Sequence, residues 1–121
     1  MSANRRLVLI PRPTRLEGRE DVLTTFRTPP LDVSHLGAAQ IEVGRGPIQT
    51  ADPCGGRFET FLEESPDGKT WSCSPGGIGH QDPRGEVTEV FLRTLRYPWL
   101  RARVEFQGRS VTCWAEGEAF P

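Results

Sequence analysis

Short runs of alternating apolar and polar residues recur along this chain. The clearest is WLRARVEF, residues 99–106, which puts Leu100, Ala102, Val104 and Phe106 on one face and Arg101, Arg103 and Glu105 on the other. SVTCWAE, residues 110–116, follows with Val111, Cys113 and Ala115 on one face. Only a few residues around Gln107-Gly108 separate the two, which predicts a hairpin. Pairing Phe106 with Arg109 would set Val104 opposite Val111, Ala102 opposite Cys113 and Leu100 opposite Ala115, so both apolar faces coincide. The same register sets Arg101 against Trp114 as a cross-strand cation–π pair and puts Trp99 and Trp114 on one outer face. Residues 38–43 alternate in the same way, with Ala39, Ile41 and Val43 inward. Residues 57–64 and 86–95 read as strands, as do 6–10, ended by Pro11 and Pro13, and 22–26, closed by Pro29-Pro30.

Breakers confirm the absence of long helices from the pattern. Thirteen Gly and eleven Pro are spread along 121 residues, and few windows are long enough for a helix. The exception is DVSHLGAA, where Asp32 or Ser34 could cap a helical turn. The expected fold is all-β: a single antiparallel β-sandwich domain of about seven strands over residues 1–121, jelly-roll or immunoglobulin-like, with short terminal arms. The basic head MSANRR and the acidic tail AEGEAFP are expected to be those arms.

The stretch FLEESPDGKTWSC, residues 61–73, carries the strongest turn signal. Pro66 suits the second position of a type I turn, and Gly68 falls where a left-handed residue is wanted. Strand 57–64 would enter this hairpin and KTWSC would leave it, with Trp71 as an anchor. Glu63, Glu64 and Asp67 lack the ligand spacing of a calcium loop.

These residues resemble a pattern in small β-sandwich accessory proteins of phage or phage-like particles, a layout shared with discoidin-like and carbohydrate-binding sandwiches. The matching positions are Ser65, Asp67, Gly68 and Trp71, then Arg96, Tyr97, Arg101, Val104 and Gly108, within residues 57–116. Pro98-Trp99 and the Gly-rich loop 74–85 depart from it. The resemblance implies a structural role, such as capsid decoration or a head–tail or tail-associated subunit, although a fold does not by itself assign a function.

Composition narrows the function classes. A formal net charge of −1 argues against a general nucleic-acid binder. Lys69 is the only Lys, so the basic groups are nearly all Arg, which forks onto carboxylates and stacks on rings. Cys54, Cys73 and Cys113 are odd in number and far apart, unlike a disulfide framework. The opening residues hold an apolar run of four, too short for a signal peptide, so a cytoplasmic or virion location is expected.

Candidate chemistry is sparse. Cys54, Cys73, His80 and His35 include potential zinc ligands, but no close-spaced ligand pair occurs, so no metal or other cofactor is expected. His80, near Asp82 with Cys73 or Ser74, is the only hydrolase-like grouping, and no nucleophile elbow supports it. Glu63 and Glu64 are adjacent and would face opposite sides of a strand, unlike a glycosidase pair. The expected function is therefore a non-enzymatic structural protein acting by homo-oligomeric packing or packing on other particle subunits. Its expected contact residues are Arg101, Arg103, Trp114, Trp99, Tyr97 and His80. The alternative is a carbohydrate-binding or adhesion module with Trp99 and Trp114 as its platform.

Overall fold

A computed structural model describes residues 4–52, 55–74 and 83–121. These form nine strands: β1 (Arg5–Glu17), β2 (Thr24–Arg27), β3 (Leu31–Asp32), β4 (Ala38–Arg45), β5 (Arg57–Ser65), β6 (Ser72–Ser74), β7 (Val87–Thr94), β8 (Trp99–Gln107) and β9 (Ser110–Phe120). All pairings are antiparallel. The first sheet has the order β1-β9-β4-β7, and the second has β2-β8-β5-β6 with β3 also on β8. The all-β sandwich is thus present, with β3 added to the expected strands and β6 leaving the 57–64 hairpin as a short strand.

The inner rows make the core. Leu100, Ala102, Val104 and Phe106 of β8 are buried, as are Val111, Cys113, Ala115 and Ala119 of β9. Ala39, Ile41 and Val43 of β4 and Phe58 and Leu62 of β5 complete the layer, with Leu7 and Ile10 from β1. Phe58 and Phe106 meet edge-on with ring centroids 6.4 Å apart. Burial pushes the Cys113 thiol up to about 12, so it sits in this layer as a small neutral apolar group.

The expected 99–106/110–116 hairpin does not form. β8 and β9 lie in different sheets, so their apolar faces meet across the core instead of side by side. The reason lies in what each strand already pairs with. β8 is flanked by β5 on one side and β2 and β3 on the other, and β9 by β1 and β4. No flank is left for a mutual ladder. The connecting Gly108-Arg109 corner is fixed by other backbone: Gly108 N–H donates to Arg19 O at 3.0 Å and Arg109 N–H to Gln49 O at 2.8 Å.

Three further expectations change. β1 runs on past Pro11 and Pro13 to Glu17, with register shifts between Val8 and Ile10 and between Ile10 and Thr14 that absorb the prolines at the sheet edge. The acidic tail is no free arm: β9 continues to Phe120, and Ala119 is fully buried between Ala39 and Arg5. Residues 33–37 hold a turn and no helix, and Asp32 Oδ1 accepts the Ser34 N–H at 2.9 Å.

At Gly44 the indole of Trp114 occupies the space that a side chain would take. Gly44 pairs with Trp114, and a Cβ there would lie 2.3 Å from the indole ring. Gly44→Ala is expected to force the ring out of place and cost about 2 kcal/mol, read by urea unfolding. An unchanged midpoint would contradict this packing.

Candidate interaction surfaces

The outer face of the second sheet carries an arginine–glutamate–arginine clamp. Opposite pairs in the β5/β8 register are Glu63 with Arg101 and Phe61 with Arg103. Arg101 Nε donates to Glu63 Oε1 at 2.8 Å, and Arg103 Nη1 to Oε2 at 3.0 Å. Glu63 is only 4% exposed, so one carboxylate serves both cations away from water. Each guanidinium also lies on a ring: Arg101 is 4.0 Å from the centroid of Trp71, and Arg103 is 4.4 Å from that of Phe61. Removing Glu63 would strand two partly buried cations. Glu63→Ala is expected to cost about 3 kcal/mol in urea unfolding, and a loss below about 1 kcal/mol would mean the pairs act as exposed ones.

The turn beside this clamp follows its sequence signal. Gly68 has φ +75°, the left-handed conformation expected of it. The loop is wider than a tight hairpin, because the β5/β6 ladder ends at Glu64 and Ser72. Asp67 Oδ1 fills it by accepting the N–H groups of Thr70 and Lys69, each at 2.8 Å, and the Ser65 hydroxyl at 3.0 Å. These bonds, Thr70 first, hold the Asp67 carboxyl below its usual range. Their stabilising contribution is complete above the unfolded pKa and is lost as pH falls through the lower folded value. The stability gap between wild type and Asp67→Ala is therefore expected to shrink on acidification in urea titrations. A gap independent of pH would contradict it.

The first sheet's outer face holds a second arginine–aromatic group. Trp114 is 5% exposed and lies against Gly44, with Arg12 4.1 Å over its ring. Glu42 Oε2 accepts both Trp114 Nε1 and Arg12 Nη1 at 3.0 Å. A shallow cleft of about 250 Å³ beside it is lined by Gln40, Glu42, Val90, Glu116, Gly117 and Glu118.

The structure thus redistributes the expected contact residues. Arg101 stacks on Trp71, and Trp114 is covered by Arg12. Trp99 and Trp114 belong to different sheets and do not share an outer face. Trp99 packs beside Gly68, Tyr97 is exposed, and Arg101 and Arg103 remain together in the clamp. His80 and Cys54 lie outside the described residues, as do Asp82 and the Ser74 side chain, and with them the hydrolase grouping and half of the zinc set. Among the described residues no group of three or more His, Cys, Asp and Glu could hold a metal ion. No helix among them is long and apolar enough to cross a membrane.

Sequence reasoning missed the buried polar groups. Glu64 follows Glu63 and does point to the other side, but that side is the sandwich interior, where it is 5% exposed and accepts the Arg96 N–H at 3.2 Å. Arg45 ends β4 on the inner face, fully buried, donating to Gly85 O at 2.9 Å and lying 5.9 Å from the Phe58 ring centroid. The strict parity of Ala39, Ile41, Val43 and Arg45 was the signal that would have placed Arg45 inward.

The sheet edges differ sharply in how they are protected. β1 carries two prolines and two register shifts, β6 has three residues, and β2 and β3 are four- and two-residue pieces separated by Pro29-Pro30. Each of these is a known way to blunt an edge. β7 has neither proline, nor register shift, nor short length, and its edge charges are Glu89 and Arg93 on the inward face. Its eight residues pair with β4 in unbroken register, with neither Pro nor Lys, and among the described residues its other side is unpaired. Among the described residues it also bears the most exposed large apolar side chains, Leu92 at 76% and Val90 at 56%, both on the outer face. Comparison with known proteins finds no matching family model and no similar curated protein.

Proposed function

We propose that this chain is a non-enzymatic assembly subunit that works by packing against protein partners, as accessory subunits of phage or phage-like particles do. The observation that carries the reading is the edge of β7, unpaired among the described residues, long, in unbroken register and topped by Val90 and Leu92. Such an edge is a template for another strand, and a sandwich that blunts its remaining edges retains this one as its place of attachment. The two arginine–aromatic clusters contribute rigidity: their cations are already matched by Glu63 and Glu42, so they stiffen the sheets that present the edge. The particle setting rests on the S-x-D-G-x-x-W resemblance. Trp99 and Trp114 belong to different sheets, so they do not form one sugar platform together.

Sedimentation equilibrium over a wide concentration range tests the reading. A species heavier than one chain, dissociating on dilution, is the expected outcome. A single-chain mass throughout would contradict self-assembly.

A further inference from the structure

Self-complementarity identifies what the open edge takes. The central residues of β7 are Glu89, Val90, Phe91, Leu92 and Arg93. About Phe91 this segment is symmetric in kind: apolar residues flank it on both sides, and charges of opposite sign follow at equal distance. Two copies laid antiparallel with Phe91 opposite Phe91 would place Glu89 opposite Arg93 twice and Val90 opposite Leu92 twice. Thr88 would face Thr94 and Val87 would face Leu95. Sliding by two residues, the smallest shift that keeps the faces, breaks every one of these matches. It puts Glu89 opposite Phe91 in one direction and Arg93 opposite Phe91 in the other.

Each pairing answers something in the single chain. Val90 and Leu92, exposed on the outer face, would cover each other across the seam. Arg93 is partly buried, facing Glu64 and Cys73 on the second sheet, and its Nη1 is buried without a hydrogen-bond partner. Glu89 is exposed and makes no ion pair among the described residues. Single charges on an edge strand normally repel a second copy. Here their opposite signs, placed symmetrically, favour one.

We propose that β7 is a homodimer seam: two copies join edge to edge with two-fold symmetry at Phe91, which fuses their four-stranded sheets into one continuous sheet through reciprocal Glu89–Arg93 and Val90–Leu92 pairs. The proposal rests on the assembly reading above and gives it a partner, a second copy of this chain.

The test compares wild type with Val90→Lys, Glu89→Arg and, as a control on β1 of the same sheet, Val8→Lys, by sedimentation equilibrium with amide hydrogen exchange alongside. Val90 and Glu89 are both exposed, so these changes leave the core intact, and unchanged amide protection in β4, β8 and β9 verifies that. Wild type and Val8→Lys are expected to be dimers. Val90→Lys is expected to be a monomer, and Glu89→Arg, which sets Arg opposite Arg, is expected to weaken the dimer by about tenfold or more. Amides within residues 87–94 should lose protection in the Val90→Lys variant. An oligomer unmoved by both β7 variants would overturn the seam and leave the assembly reading standing. A wild-type monomer at every concentration would overturn both.

Discussion

The chain changes sheets at Gly108-Arg109, and the rest of the architecture depends on that crossing. β8 and β9 both have one wholly apolar face, and the corner sets those faces against each other across the core. Each strand then lies in the interior of its own sheet, with neighbours on both sides. The outer faces of the two strands consequently point in opposite directions. This is why the arginines of β8 and the tryptophan of β9 find separate partners, Trp71 and Phe61 on one side and Arg12 on the other. It also decides which strands are left at the edges: β1 and β7 in one sheet, β6 and the broken pair β2 and β3 in the other.

Charge is handled differently at the faces and at the edge. On the faces, nearly every arginine near an aromatic ring is also matched to a carboxylate. Glu63 holds Arg101 and Arg103, and Glu42 holds Arg12 together with the Trp114 indole. Apart from Arg103 Nε, which is buried without a hydrogen-bond partner, these clusters leave little unmet polar demand for a partner to answer. On β7, Glu89 makes no ion pair among the described residues, and Arg93, whose charge faces Glu64, keeps a buried Nη1 without a hydrogen-bond partner. Opposite charges set symmetrically about an apolar centre are what the proposed second copy would pair.

The fold class and most strands were legible from alternation and turn chemistry. Residues 99–106, 110–116 and 38–43 point their apolar faces inward as read, and Gly68 occupies the left-handed position that its turn demands. Pairing was less legible, because a strand with one apolar face reads the same in a hairpin as in an arch between sheets. Only the competition for flanks, which involves β1, β4, β2 and β5 far along the chain, separates the two. Proline was over-read at β1, since an edge strand tolerates missing donors. The tail was under-read: Ala119 and Phe120 follow Glu118, and a charged residue on the outer face is compatible with a strand that continues. The open edge was not visible at all, because an edge is a property of strand order and not of any segment's own pattern.

An isotope-filtered NOE experiment on a mixture of labelled and unlabelled chains tests the central claim most directly. It sees only contacts between copies. The account requires contacts from the Val90 methyl groups of one chain to the Leu92 methyl groups of the other, and between the two Phe91 residues. Intermolecular contacts that fall elsewhere on the sandwich, with none at β7, would contradict it.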